Sequence, residues 1–291
     1  MFNKNKIEYF LILTLIKIIQ LLGLNGARKF GNFLASFFYY FIPIRKSVAK
    51  KNIKDAFPSI NEKQINKIAL ASYKNFFTTF IELLLLPTLS KNKLHALVKC
   101  ERINLLKEKY EAGNGVIFLT GHFGNWEIGA ASVASQLNIQ MHVLAKNQRN
   151  PYVTDLVNRY REHFGNRVIK LGPSIREVYK SIKDGKIVGV VGDQRGPKEG
   201  IRVKLFNKDT AIYPGTALIA LKTKVPLITV FVKRLDDGTY DAIVEEIGFE
   251  NLPENETEKI KELNQRYMNI LEKRVTDAPG QWFWQHKIWK Y

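Results

Sequence analysis

Residues 115–127 read GVIFLTGHFGNWE. Val116 to Thr120 is a short apolar run of the kind that forms a strand buried on both faces, and a helical pattern begins at Trp126. Between them Gly121 and Gly124 relax the backbone, and Asn125 is a helix cap. A strand passing through a tight turn into a helix is the unit of layered α/β folds. The same texture recurs outward from it, with apolar runs at VKCERI (98–103), IQMHVLA (139–145), RVIKL (167–171), KIVGVVGD (186–193), IRVKLF (201–206), LITVFVKR (227–234) and TYDAIVEEI (239–247). Helical stretches intervene from Pro151, Ser174 and Tyr213, and a long one runs from about Asn255 to Val275. The expected fold is α/β, a layered and largely parallel sheet with flanking helices, whose chemistry collects at the carboxyl ends of the strands.

His122 and Glu127 lie just past such an end. Five residues apart, they face opposite sides of a strand and diverge by roughly 140° on a helix. They meet only with His122 on the turn and Glu127 in the first turn of the helix. The carboxylate would then hold one imidazole N–H and leave the other nitrogen free as a base. That is a dyad without its own nucleophile, so the nucleophile comes from the substrate, typically a hydroxyl. The structural alternative is a loop histidine and an acid that complements the helix dipole.

The chain has 291 residues, 45% of them hydrophobic, and a formal charge of +18. Such a chain buries a core of its own and prefers anionic partners. The charge is concentrated: Met1 to Lys54 carries ten cations and one anion, Glu8. The same stretch holds the apolar segments Ile7–Leu24 and Phe30–Ile44, a pairing suited to an anionic membrane surface. Residues 1–44 therefore read as hydrophobic, basic membrane-anchoring helices and residues 45–291 as the α/β domain. An 18-residue segment gives roughly 27 Å of helix, short for a bilayer core. Thr14, Lys17 and Gln20 add a polar stripe that favours a helix lying in the interface or docked on the protein. If the segment spans, the basic residues after it put the main domain in the cytoplasm. Asn61 to Leu86 reads as an amphipathic core helix through Ile65, Ile68, Phe76, Phe80, Leu83 and Leu84, ended by Pro87.

The HFGNWE stretch, with several others in order, resembles the bacterial late acyltransferases of lipid A biosynthesis, the lauroyl and myristoyl transferases. The matching pieces are Asn150-Pro151-Tyr152, the Arg-containing NRYREHFG (158–165), Asp193-Gln194-Arg195-Gly196 and the tail Gln281-Trp282-Phe283-Trp284-Gln285-His286-Lys287. The resemblance implies a glycerolipid acyltransferase-like domain at the inner membrane, on its cytoplasmic side. There His122, oriented by Glu127, deprotonates a hydroxyl that attacks an acyl thioester. It implies an acyl carrier protein as partner, or acyl-CoA in its place, with these thioesters as co-substrates and no cofactor or metal. The acceptor would be a phosphorylated glycolipid, a lipid A precursor or else another lysolipid or glycolipid.

By the same resemblance an acid at Asp193 is required, and Arg149, Arg159, Arg161 and Arg195 are substrate or oxyanion candidates alongside Gly124, Asn125 and the backbone N–H groups of residues 121–124. Arg159 and Arg161 face different ways on a helix, so only one reaches the site. Trp126, Trp282, Trp284 and Trp289 are membrane or pocket aromatics, the last three equally well a cap on the core. Two stretches depart from the family: Ala145-Lys146-Asn147-Gln148-Arg149, near the acceptor, and Leu205-Phe206-Asn207, a turn expected to border the acyl groove. The single cysteine, Cys100, excludes an internal disulfide and a paired-cysteine zinc site. Hydrolase elbows, HExxH and nucleic-acid signatures are missing, so nucleic acid is not expected as a partner. A non-catalytic basic membrane-binding protein leaves HFGNWE unexplained.

Overall fold

The computed structural model describes residues 3–171 and 175–291. Four helices come first: α1 (Lys4–Leu21), α2 (Gly23–Phe41), α3 (Lys46–Ala56) and α4 (Glu62–Leu85). The alternating part follows as α5 (Lys91–Leu97), β1 (Val98–Lys99), α6 (Ile103–Glu111), β2 (Val116–Thr120), α7 (Trp126–Leu137), β3 (Met141–Ala145), α8 (Pro151–Glu162), β4 (Asn166–Lys170), α9 (Ile175–Lys183) and β5 (Ile187–Val191). It ends with β6 (Ile201–Leu205), β7 (Lys208–Ile212), α10 (Gly215–Thr223), β8 (Leu227–Arg234), β9 (Tyr240–Ile247) and α11 (Glu256–Asp277). Ser174, the expected start of α9, lies outside the described residues.

Seven strands form one sheet in the order β1-β9-β8-β2-β5-β3-β4. Its pairs are parallel except β8 with β9, a hairpin running antiparallel from Leu227↔Ile247 to Arg234↔Tyr240. The run at 201–206 departs from expectation: β6 pairs only with β7 in a separate antiparallel hairpin. Phe206 and Asn207 make its turn, both with left-handed backbone. Phe206 packs on Phe57, Trp284 and Trp289 rather than beside an acyl groove, because its strand never joins the large sheet.

The central strand β2 is buried along its whole length. Ile117 and Leu119 pack toward α9, α10 and α11, and Val116 and Phe118 toward α7, so the period-2 alternation of one strand builds both cores. Each such side chain contributes about 1.5–3 kcal/mol of hydrophobic stabilisation.

Asn61 and Gln64 close a capping box at the start of α4. Its length and apolarity suffice to cross a membrane, alone among the described residues. Half of it is nevertheless inside the protein, and Glu82 on its buried face is ion-paired with Arg28 and Arg234. It is a core helix. Phe76 and Phe80 leave that core: Phe76 stacks on Phe283 at 4.5 Å, and Phe80, exposed, lies edge-on to Trp126.

α2 packs along α4 through Ala27, Gly31, Ala35 and Tyr39, whose small members let the helices approach closely. α1 packs on α2, α4 and α8 through Ile16 and Ile19, and Gln20 of its polar stripe donates to the Leu84 carbonyl. Asn150, which caps α8, donates to the Asn5 carbonyl and to Glu8, clasping α1 to the α/β domain.

The β2–α7 connection depends on Gly124. Its φ is +56°, and a Cβ there would overlap the Val232 carbonyl of β8. Gly124→Ala therefore meets both left-handed strain and a backbone clash. Its expected cost is about 2 kcal/mol or more, read as a lowered melting temperature; wild-type thermal stability would contradict this account of the turn.

Candidate active site

The register of the sheet assembles the site. β2 and β5 are parallel neighbours ending together at Thr120↔Val191. His122 and Asp193, each two residues beyond, therefore emerge side by side although 71 positions separate them. The Asp193 carboxylate faces His122 Nδ1 at 2.7 Å and accepts the His122 backbone N–H at 2.7 Å and the Trp282 indole N–H at 2.8 Å. Asp193 is buried and His122 partly open.

The carboxylate that holds the imidazole is thus Asp193's, a correction to the His122/Glu127 pairing. Glu127, buried in the first turn of α7, is gripped by Arg161 of α8 through Nε at 3.0 Å and Nη2 at 2.6 Å. The physical reason is direction: the capped first turn of α7 presents residue 127 to α8, while the neighbouring strand end supplies an acid from the other side. Glu127 acts on His122 through its charge. Burial by itself lowers the imidazole pKa; the Asp193 charge, its hydrogen bond and the Glu127 charge outweigh that and raise it. Asp193 moves the other way: burial would raise its pKa, but the His122 charge and hydrogen bonds from His122 and Trp282 hold it below the usual carboxylate range. With Nδ1–H directed at the carboxylate, Nε2 is the nitrogen available for proton transfer.

Of the two arginines on α8, Arg161 enters the site and Arg159 is exposed. Arg149 is exposed as well, while Lys146 and Gln148 of the same segment line the cavity. Arg195 turns to the C-terminal tail: its backbone N–H donates to His286 Nε2, its guanidinium to the Lys287 carbonyl, and it stacks over Tyr291. Of the main-chain donors expected to form an oxyanion hole, those of His122, Phe123 and Gly124 are already engaged. The N–H groups of His122, Phe123, Gly124 and Asn125 donate to Asp193, Gly121, Gln281 and Val232 respectively. Gly124 and Asn125 serve the turn rather than a substrate oxygen.

The tryptophans divide. Trp126 lies edge-on to the His122 ring at 4.9 Å and lines the cavity. Trp282 and Trp284 are buried, the second donating to the Pro279 carbonyl, and Trp289 donates to Thr210. Trp282 and Trp284 close the core. Sequence reasoning missed Trp282 as the donor that completes Asp193's shell, because nothing local links positions 89 residues apart.

A cavity of about 240 Å³ adjoins His122. Glu127, Arg161, Lys146 and Gln194 supply its polar edge, and Phe118, Ala130, Val143, Leu144, Leu171 and Val190 give an apolar wall between α7 and the ends of β2, β5 and β3. Among the described residues no group of three His, Cys, Asp or Glu side chains is placed to hold a metal ion.

A histidine held by a buried carboxylate beside a cavity with an apolar wall can take a proton from a hydroxyl brought to it. The chain belongs to the family of bacterial lipid A biosynthesis acyltransferases, which it matches over residues 3–291. It is an acyltransferase. It is 21% identical over 253 residues to the lipid A biosynthesis palmitoleoyltransferase of Escherichia coli, covering 86% of this chain and 80% of the relative. A lipid A biosynthesis acyltransferase of Shigella flexneri matches equally. The phosphatidylinositol mannoside acyltransferase of Mycolicibacterium smegmatis is 20% identical over 229 residues, 77% of this chain and 71% of the relative.

The pKa directions set a pH test. A base must be unprotonated, so the acid limb of the rate profile is expected above the ordinary imidazole value of 6.5. Asp193→Asn removes the charge that raises it, moving that limb to lower pH while cutting turnover by about 10²–10⁴-fold. An unmoved limb would detach Asp193 from the base.

Proposed function

We propose that this chain is a membrane-associated O-acyltransferase moving a fatty acyl chain from an acyl carrier protein thioester to a hydroxyl of a lipid A precursor, with His122 as general base. The observation that carries this reading is the His122–Asp193 pair bordering the apolar cavity. His122 Nε2 takes the acceptor hydroxyl's proton as its oxygen bonds to the thioester carbonyl carbon. The tetrahedral oxyanion collapses, the C–S bond breaks, and the imidazolium returns the proton to the leaving thiolate. Asp193 stabilises the imidazolium during that interval.

Such a base supplies about 10²–10⁴ in rate, so placement and oxyanion stabilisation supply the rest. Arg161 suits the oxyanion: it lines the cavity, and Glu127 engages only its Nε and Nη2. The apolar wall suits an alkyl chain, each buried methylene worth about 0.8 kcal/mol. The +18 charge suits an acidic carrier and a phosphorylated acceptor. Acyl-CoA is the alternative donor. The similarity to the mannoside acyltransferase supports a second reading with another glycolipid as acceptor.

The inner membrane's cytoplasmic side is the face proposed for membrane association, and that association is supported by two outward stripes. On α1 they are Ile7, Phe10, Leu11, Leu15, Ile18 and Leu21, and on α2 Phe33, Phe37, Tyr40 and Phe41, all exposed at helical spacing among basic residues. This geometry favours helices lying in the interface over a spanning segment.

Purified protein incubated with carrier-protein thioesters of several chain lengths and a lipid A precursor should yield a product heavier by one acyl group, and His122→Ala should abolish it while leaving the fold. No mass gain, or turnover retained in His122→Ala, rejects the reading. Replacing Phe10, Leu11 and Ile18 together by Asn should lower vesicle binding tenfold or more, at about 1.5–3 kcal/mol per apolar side chain lost from the bilayer, with little change in melting temperature. Unchanged vesicle binding would reject the docking face.

A further inference from the structure

Glu82 of α4 is a fully buried carboxylate that the transfer chemistry does not touch. Four elements converge on it. Arg28 of α2 donates through Nε at 2.5 Å, Arg234 at the end of β8 through Nη1 and Nη2 at 2.8 and 3.0 Å, the Tyr240 hydroxyl at the start of β9 donates as well, and Asn125 donates through Nδ2 at 2.5 Å. Burial would raise its pKa; the two guanidiniums and the tyrosine hydroxyl outweigh that and keep it ionised. A buried carboxylate with this many donors is held in one orientation, and so are its donors.

The Asn125 bond reaches the site. A carboxylate only accepts, so it selects the orientation in which the Asn125 amide nitrogen faces Glu82 and the amide oxygen is left for the Ile128 N–H at 2.9 Å. That second bond is the N-cap of α7, whose first turn carries Trp126 and Glu127. Glu82 does not act alone on α4. Ser72, Asn75, Thr79 and Glu82 recur at spacings of three and four, one helix face. Ser72 donates to the Trp282 carbonyl, Asn75 to the Gly124 and Gln281 carbonyls, and Thr79 to the Gly124 carbonyl. One polar stripe on an otherwise apolar helix thus grips the catalytic turn and the tail segment behind it.

We infer that Glu82 is a positioning residue for acyl transfer: by fixing Asn125 it sets the first turn of α7, and with it Glu127 and the Arg161 guanidinium, against the cavity. The inference rests on the acyl-transfer reading of the site. Arg28 extends the same anchorage to α2, so the helix with the outward apolar stripe and the catalytic turn share one buried carboxylate.

The test uses the full chain with Asn125→Ser, Asn125→Asp, Glu82→Gln and the exchange of Glu82→Gln with Asn125→Asp. Asn125→Ser leaves Glu82 with both arginines and Tyr240, keeps a capping oxygen, and removes only the link between them. It should fold, lose about 10- to 100-fold in kcat, and keep KM for the acyl donor within about twofold. Asn125→Asp sets two carboxylates together and should be slower still. The exchange restores a donor–acceptor pair with its direction reversed, while losing a bond from Arg234, and should turn over at least about threefold faster than Asn125→Asp, which a merely stabilising cluster would not require. Wild-type kcat in Asn125→Ser, or an exchange no faster than Asn125→Asp, overturns the inference. Hydrogen exchange at the Ile128 amide reads the cap without substrate: it should accelerate about tenfold or more in Glu82→Gln and Asn125→Ser and slow again in the exchange. Unchanged Ile128 protection also overturns the inference. If wild type transfers no acyl group, the acyl-transfer reading falls, and Ile128 protection still decides whether Glu82 sets the cap.

Discussion

The constraint on which this molecule depends is the immobilisation of a five-residue turn, Gly121 to Asn125, between the central strand and α7. Its N–H groups at 122 to 125 all donate, the carbonyls of Gly121, His122, Gly124 and Asn125 accept, and the partners outside the turn come from the end of β5, β8, α4, α7 and the C-terminal tail. In a buried environment each of these groups would carry a desolvation penalty if left unpaired, so the turn has one acceptable position. The close approach of Gly124 to Val232 removes the remaining freedom. The imidazole at the apex inherits that rigidity, and a base held in one place loses little entropy when a substrate hydroxyl arrives.

Three buried carboxylates surround the turn, and each is held differently. Asp193 meets a histidine and an indole, Glu127 a bidentate arginine, and Glu82 two arginines with a tyrosine and an amide. Burying a carboxylate is unfavourable unless its lone pairs are used, and using them fixes whatever donates. The protein accepts that cost where fixed geometry matters most. Asp193 alone bonds to a group that gains and loses a proton near neutral pH; Glu127 adds its charge to that tuning while it orients Arg161, and Glu82 only orients.

Much of this was legible beforehand. The alternation of apolar runs with helical stretches predicts the layered sheet, and HFGNWE marks the turn that carries His122. Arg161 and Asp193 were both candidates. What failed was pairing: spacing along the chain suggested Glu127 for His122, whereas strand register brought Asp193. Phe76 and Phe80 fit a helical core pattern and instead face the tail and Trp126, because α4 buries a polar stripe where an apolar one was expected. The tail tryptophans, ambiguous by composition, became core and indole donors.

The sequence by itself determined the strand-turn-helix units, the glycines and cap that shape the turn, the apolar N-terminal segments and the positive charge, since these follow from local backbone preference and side-chain chemistry. Only the tertiary structure decided which acid serves the histidine, which arginine enters the cavity, and that a polar face of α4 grips the turn. Those outcomes rest on contacts between residues tens to hundreds of positions apart, made when a sheet takes its register and buried charges find partners, and no local spacing encodes them.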